Sequence, residues 1–227
     1  MTIDVIIPAF DESGSIGLVL EDLPSAPLRE VIVVDNGSSD GTAEVAGRHG
    51  ATVVHESRRG YGSACLAGLA EVARRPRSPD IVVLLDADYS DHPDELPELL
   101  EPLIADRADL VIGSRALGNR ERGALLPQAR FGNWLASRLI RRLYGMQVTD
   151  LGPFRAVRWS TLRELGMVDR DFGWTAEIQV KAARAGVRYA EVPVSYRRRI
   201  GVSKITGTWT GTIRAGYKIL FTIFRYR

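Results

Sequence analysis

Along the first half of the chain, short apolar runs alternate with amphipathic stretches, and most of the runs stop at a polar cluster. Ile3 to Ile7 is such a run, halted at Pro8, as a buried parallel strand would be. Ser13 then offers an N-cap for a helix reaching about Leu23, closed by Pro24. Glu30 to Val34 is rich in β-branched side chains and predicts a second buried strand. Asp35-Asn36-Gly37-Ser38-Ser39-Asp40-Gly41 follows as a polar turn into a helix from about Thr42. Thr52 to His55 predicts a third strand with a helix from about Ser63. Asp80 to Leu85 predicts a fourth, ending at Asp86-Ala87-Asp88. A helix near Glu95 to Ile104 and a strand over Leu110 to Gly113 complete this half.

Repeated strand-helix units specify a parallel sheet with helices on both faces, because right-handed crossovers put them there. The expected class is therefore α/β, a mostly parallel Rossmann-like sheet flanked by helices in a single domain. In such sheets ligands bind beyond the carboxyl ends of the strands. The polar clusters after strands one, two and four all fall at that edge. The second half mixes its signals. Gln128 to Tyr144 reads as an amphipathic helix with Phe131, Trp134, Leu135 and Leu139 on one side. Phe154 to Val157 predicts a strand, Trp174 to Ala185 a helix, and Tyr189 to Val194 a further strand.

The 227 residues suit one well-buried domain and are short for two. A composition 45% hydrophobic and 26% charged excludes a disordered chain, and a net charge of +2 is too mild to argue for nucleic acid as a partner. The single Cys65 excludes an internal disulfide. No apolar run approaches the roughly 20 residues that span a bilayer, and the chain opens on a strand rather than a signal sequence. The expectation is a cytoplasmic protein whose membrane contact, if any, is peripheral on the cytoplasmic face.

Asp86 and Asp88, one residue apart at a strand end, can project toward one site if the backbone turns there. At about 5 Å and an effective dielectric near 20, two such charges repel by roughly 3 kcal/mol. A hard divalent cation removes that penalty and seats phosphate oxygens, since Mg²⁺ or Mn²⁺ prefers a few carboxylates plus substrate phosphates. The bland reading is a solvated acidic loop or an acid-rich helix start. Its place after an apolar strand, beside two other polar strand ends, favours the cation.

Three ordered segments carry a family resemblance: Val5-Ile6-Ile7-Pro8-Ala9-Phe10-Asp11-Glu12, Val33-Val34-Asp35-Asn36-Gly37-Ser38-Ser39-Asp40-Gly41-Thr42 and Leu85-Asp86-Ala87-Asp88. Together they resemble the family 2 glycosyltransferases of GT-A fold, in particular the polyprenyl-phosphate, dolichyl-phosphate mannose synthase-like branch, from about Thr2 to Lys204. The resemblance implies an inverting hexosyl transfer from a nucleotide-sugar donor, with polyprenyl phosphate a candidate acceptor. It implies a donor site built from Pro8, Ala9, Phe10, Glu12, Val33 and Asp35, with Ala87 giving a backbone contact and Asp86 and Asp88 carrying Mg²⁺ or Mn²⁺. Gly113-Ser114-Arg115 matches the branch after its fifth strand, and Arg130 matches a second basic residue; both arginines would hold the acceptor's phosphate. Arg198-Arg199-Ile200-Gly201-Val202-Ser203-Lys204 resembles a loop closing over the donor diphosphate, implicating Arg198 and Lys204.

Departures accompany the match. Asp88-Tyr89-Ser90-Asp91-His92-Pro93 is one residue longer than the branch's usual form, leaving open whether Ser90 or Asp91 approaches the metal. The transmembrane tail of some relatives is absent. A hydroxyl acceptor needs a general base, whereas an ionised phosphate does not; Asp150 and Glu177 are the candidates for that role. Gly60-Tyr61-Gly62-Ser63 lacks a dinucleotide fingerprint's third glycine and reads as a loop near the donor or a plain turn. His49 and His55 read as surface or packing residues, His92 as part of a turn, and Cys65 as a small buried hydrophobe.

The last segment divides from the domain over 1–207 as an amphipathic helix over 208–227. A helical wheel puts Trp209, Ile213, Leu220 and Phe224 on one side and Arg214, Lys218 and Arg225 on the other. Either it lies in a membrane interface or it packs on the domain or a second copy. Two other functions fit a nucleotide-binding α/β sheet: a sugar nucleotidyltransferase, and a non-catalytic nucleotide-sugar binding module. The first would open on a glycine-rich Gly-Gly-x-Gly-x-Arg stretch, which Pro8-Ala9-Phe10-Asp11-Glu12 is not.

Overall fold

A computed structural model of the chain describes residues 1–24, 28–201 and 209–227, with backbone alone for 209 and 210. Among the described residues, strands β1 (Ile3–Ala9), β2 (Leu28–Asp35), β3 (Thr52–His55), β4 (Ile81–Leu84), β5 (Leu110–Ser114), β6 (Arg155–Arg158) and β7 (Tyr189–Pro193) form one sheet in the order β3-β2-β1-β4-β6-β5-β7. Helices α1 (Ile16–Glu21), α2 (Thr42–Arg48), α3 (Tyr61–Arg74), α4 (Leu96–Ile104), α5 (Pro127–Tyr144), α6 (Trp159–Leu165), α7 (Trp174–Arg184) and α8 (Trp209–Arg225) surround it.

The apolar runs form strands because both faces of the sheet are covered. In β1, Ile3, Val5, Ile7 and Ala9 enter one core while Ile6 enters the other, as a two-residue repeat requires. β4 continues both layers, with Ile81 and Val83 on one side and Val82 and Leu84 on the other. Each such side chain, fully buried, contributes about 1.5–3 kcal/mol. Asp4 is the exception in β1; it is buried and takes a hydrogen bond of 2.8 Å from Nε of Arg29.

β1 pairs in parallel with β2 on one side and β4 on the other, so chain connections leave it in both directions. That makes the carboxyl ends of β1 and β4 the crevice of the sheet, and Pro8 to Glu12 lies beside Leu85 to Asp88. One strand departs from the parallel pattern. β6 runs antiparallel between β4 and β5, and α6, for which the sequence carried no clear signal, follows it directly. A four-residue strand such as Arg155–Arg158 carries no directional information; the partner strands set it.

A third core lies away from the sheet, where Ala136 and Ile140 of α5, Ala176 and Val180 of α7 and Ile223 of α8 meet. Tyr226 beyond α8 donates its hydroxyl to Glu177 of α7 at 2.8 Å. The terminal helix is thus packed on the domain.

Candidate active site

The loops after β1 and β2 are stitched to each other. Asp11, in the left-handed region at φ 50°, accepts the Ser39 amide at 2.8 Å and donates its own amide to Ser38 Oγ at 2.9 Å. The Glu12 amide donates to Thr42 Oγ1 at 2.8 Å and the Ser13 amide to Asp40 at 3.0 Å. Burial would raise the Asp40 carboxyl, but the hydrogen bonds from Thr42 and Ser13 outweigh it and hold it down at about 2. Asp35 is likewise held below its ordinary range: burial opposes, while Ser38 and His55 hydrogen bonds win. Asn36 donates to the carbonyls of Glu56 and Arg58 at 2.9 and 2.8 Å and accepts from the Gly60 amide at 2.9 Å. It fastens the loop leading into α3.

Between these loops and the end of β4 lies a cavity of about 300 Å³. Of the expected donor residues, Pro8, Ala9, Phe10, Glu12 and Ala87 line it, together with Asp86 and Asp88. Val33 does not: it is fully buried in the core below, two residues short of the end of β2, where both faces of the sheet are covered. Asp35 sits just beneath, bonded to Ser38 and His55. Asn36, Arg59, Ala64, Phe172 and Arg199 also line it, none of them singled out from sequence, as do Gly60 and Tyr61 of the segment read as a loop near the donor or a plain turn. The Arg59 guanidinium lies 3.7 Å from the Phe10 ring centroid, a flat cationic cover over an aromatic floor.

Gly60 and Gly62 bring α3 against the loop before α7. A Cβ on Gly62 would fall 2.2 Å from the Asp169 carbonyl oxygen, and one on Gly60 2.2 Å from that of Arg170. The segment Gly60 to Ser63 is therefore the donor-side start of α3, where the Ser63 amide also donates to the Arg170 carbonyl at 2.9 Å.

Asp86 is half-buried, and its buried Oδ1 has no hydrogen-bond partner among the described residues. Burial and then the neighbouring Asp88 charge push its carboxyl up to about 7. Asp88 Oδ1 accepts the Ser90 amide at 2.9 Å, and Oδ2 pairs with Arg199 Nη1 at 3.1 Å. Asp91 is buried with both carboxylate oxygens unpartnered among the described residues; burial and then Asp86 raise it well above the ordinary carboxylate range. Ser90 thus supports Asp88 directly, whereas Asp91 is a buried acid behind the motif. His92 lies 3.7 Å from Asp94, and Cys65 is buried, its thiol pushed up by desolvation.

Arg198 was expected over the donor, and the structure turns it away. Its Nε and Nη2 donate to the Arg122 carbonyl at 2.9 and 2.6 Å, and its amide to Glu121. Side chains alternate in extended backbone, so Arg197 and Arg199 face the acidic motif instead. Arg197 bonds the Tyr89 carbonyl at 2.7 Å, and Arg199 Nη2 reaches Glu12 at 2.6 Å. Lys204 lies outside the described residues.

On the β5 side, Arg115 makes a two-pronged contact with Asp150: Nε to Oδ2 at 2.8 Å and Nη2 to Oδ1 at 2.7 Å, with the Arg115 amide on Oδ2 as well. Both are almost wholly buried. Asp150 is therefore engaged as the orienter of Arg115. Arg130 is exposed on α5. Glu177, the other candidate base, is fully buried and accepts the amides of Val168 and Asp169 and the Tyr226 hydroxyl, while Lys181 pairs with it at 2.8 Å. It secures the loop that presents Phe172 to the cavity and lies away from the acidic pair as a structural carboxylate.

Among the described residues no three His, Cys, Asp or Glu side chains are arranged to cage a metal ion. Two hard carboxylates with one orphaned oxygen do fit a Mg²⁺ or Mn²⁺ ion that completes its shell from a bound diphosphate.

Comparisons with known proteins agree with this geometry. A family model described as Glycosyl transferase family 2 matches residues 4–166. The chain is 41% identical to an uncharacterised glycosyltransferase of Mycobacterium tuberculosis over 94% of each chain. It is 34% identical to an undecaprenyl-phosphate mannosyltransferase of Micrococcus luteus, over 93% of this chain and 90% of that one. Among solved structures it resembles glucosyl-3-phosphoglycerate synthase of Mycobacterium tuberculosis, crystallised with Mn²⁺, uridine diphosphate and phosphoglyceric acid. The TM-score is 0.77 at 24% identity, over 99% of this chain and 78% of that one, a likeness of fold. The GT-A sheet, the ordered motifs at its crevice and the matched span lead to one assignment: the chain belongs to glycosyl transferase family 2.

Proposed function

We propose that the chain moves a hexose from a nucleoside-diphosphate sugar to a polyprenyl phosphate in a single inverting displacement, with Mg²⁺ or Mn²⁺ held at Asp86 and Asp88. The carrying observation is on the acceptor side. The two carboxylates expected from sequence as bases are both committed, Asp150 to Arg115 and Glu177 to two amides, a hydroxyl and Lys181. A hydroxyl acceptor needs a base; an ionised phosphate brings its own negative oxygen. A guanidinium held rigid by Asp150 suits that phosphate. When bound, the cation would neutralise charge growing on the departing diphosphate. Phe10 and Arg59 flank the space for a base, and Tyr61 and Phe172 help to keep water out. The Micrococcus luteus relative's name, with its lipid phosphate, supports the acceptor class.

A lipid-linked acceptor calls for a surface that meets the bilayer, and α5 with α8 supplies one. Phe131 and Trp134 on α5 and Ile213, Tyr217, Phe221 and Phe224 on α8 are 45–70% exposed. Arg130, Arg138, Arg141 and Arg142 on α5 and Arg214 and Arg225 on α8 are exposed beside them, and neither helix carries an acidic residue. Aromatic rings among cations fit an anionic leaflet, each cation adding about 1 kcal/mol. The wheel read from sequence is rotated: Lys218 turns to Asp169 at 3.0 Å, Leu220 is half-buried, and Tyr217 and Phe221 join the outer stripe. No helix among the described residues is long and apolar enough to cross a membrane.

The test is a transfer assay with UDP-, GDP- and dTDP-hexoses on vesicles carrying either a polyprenyl phosphate or the free polyprenol. Glycosylated polyprenyl phosphate, abolished by chelation, is the expected product; equal transfer to the polyprenol would sink the acceptor reading. Trp134→Ser with Phe221→Ser should lose flotation with anionic vesicles. Undiminished flotation would remove α5 and α8 from the account.

A further inference from the structure

Arg199 stands where a cation is wanted. Its Nη1 lies 3.1 Å from Asp88 Oδ2 and its Nη2 2.6 Å from Glu12 Oε1, so one guanidinium spans the acidic motif of β4 and the loop after β1. The backbone sets it there: the Ile200 amide donates to the Asp88 carbonyl at 3.0 Å and the Arg197 amide to the Ser90 carbonyl at 2.9 Å. The strap therefore docks edge-on to the residues that would seat a metal.

Two polar atoms in this arrangement are left over. Arg199 Nε is buried without a hydrogen-bond partner among the described residues, and so is Asp86 Oδ1. An unspent donor and an unspent acceptor, each costing about 1–3 kcal/mol, do not make a finished network. They match the two parts of a single missing ligand, an anion for the guanidinium and a cation for the carboxylates.

We propose that Arg199 is a resident counter-cation of the acidic pair, which a divalent ion must displace, and that a nucleoside diphosphate makes the exchange favourable by offering Arg199 phosphate oxygens in return. The inference rests on Asp86 and Asp88 as the cation seat. Metal and nucleotide then bind with positive coupling, each raising the other's affinity by one factor. Guanidinium-to-phosphate contacts are strong enough to draw Arg199 off Asp88. The metal alone meets a competitor already in place.

The experiment is titration of Mn²⁺, followed by electron paramagnetic resonance of the free ion, into wild type, Arg199→Gln, Arg199→Lys and Asp88→Asn. Each is measured without nucleotide and with UDP or GDP. Wild type should bind Mn²⁺ weakly alone and at least about tenfold more tightly with a nucleotide, a change of about 1.4 kcal/mol. Arg199→Gln should bind Mn²⁺ alone about tenfold more tightly than wild type and lose most of the coupling. Arg199→Lys keeps the charge and should resemble wild type. Mn²⁺ should also raise the melting temperature of Arg199→Gln more than that of wild type, which checks the fold of the variant in the same measurement. If Asp88→Asn abolishes Mn²⁺ binding while Arg199→Gln leaves it unchanged, the counter-cation role is wrong and the seat stands. If Asp88→Asn changes nothing, the seat itself is wrong and the proposal falls with it.

Discussion

The two sides of the sheet's carboxyl edge, the one proposed for the donor and the one proposed for the acceptor, are held by different means. Around β1, β2 and β4, short side chains and backbone amides do the holding: Asp11 with Ser38 and Ser39, Asp40 with Ser13 and Thr42, Asn36 with the loop before α3. Around β5, α7 and the strap after β7, long charged side chains do it: Arg115 on Asp150, Lys181 on Glu177, Arg198 on the Arg122 carbonyl. Short groups reach only what already lies against them, so they stitch loops 20 to 28 residues apart in sequence into a tight, preformed cradle. Long ones cross wider gaps, over 35 residues at Arg115–Asp150 and one helical turn at Lys181–Glu177, and depend on the partner being present. The first device suits a constant ligand such as a nucleoside diphosphate, the second a site assembled where several elements meet.

This contrast can be broken at three points. The largest effect is expected on the acceptor side. Asp150→Asn leaves the Arg115 guanidinium buried without its countercharge, and losing one partner of a buried pair costs about 3–5 kcal/mol. Urea unfolding should register that loss, and a rise in acceptor KM should accompany it. A loss under about 1 kcal/mol would mean the pair is a surface contact in effect. At the seam between the two sides, Gly62→Ala drives a Cβ into the Asp169 carbonyl. Overpacking against backbone costs about 1–3 kcal/mol, and thermal unfolding should show it. A neutral outcome would mean that the 169–170 loop yields.

The smallest effect lies in the donor cradle. Asp40→Ala removes a turn carboxylate that accepts the Thr42 amide at the start of α2 and the Ser13 amide across the loops, a loss of about 1 kcal/mol. The folded carboxyl sits at about 2, below its ordinary 3.8, so its stabilisation is fully present above the ordinary value and disappears as pH falls through the folded one. The gap between wild type and Asp40→Ala should hold from pH 7 to pH 5 and narrow by pH 3. A gap constant over that range would show that Asp40 acts through packing rather than charge.

The chain alone disclosed the α/β layering and the donor side, and the reason is locality. Ile3 to Ile7 and Ile81 to Leu84 are buried on both faces, so their apolar runs speak for themselves, and the polar residues that follow them must emerge at the same edge. Pro8, Phe10, Glu12, Asp86, Ala87 and Asp88 line the cavity for that reason. Val33, named with them, belongs to the core because it lies two residues before the end of β2, where side chains on both faces are covered.

What the tertiary structure alone decided were matters of direction and partner. β6 runs antiparallel because β4 and β5 receive it that way, and a strand of four residues, two of them arginines, cannot encode an orientation. Among Arg197, Arg198 and Arg199 the composition is uniform, and only docking of the strap against Asp88 and Ser90 selects which arginine meets the acidic pair. Asp150 reads as a free carboxylate until Arg115 arrives from 35 residues away, and Glu177 until the Val168 and Asp169 amides and the Tyr226 hydroxyl join Lys181 of the next helical turn. A charge advertises that it needs a partner; the sequence cannot say which partner the folded chain brings within 3 Å, because that distance is set by elements packed from far apart.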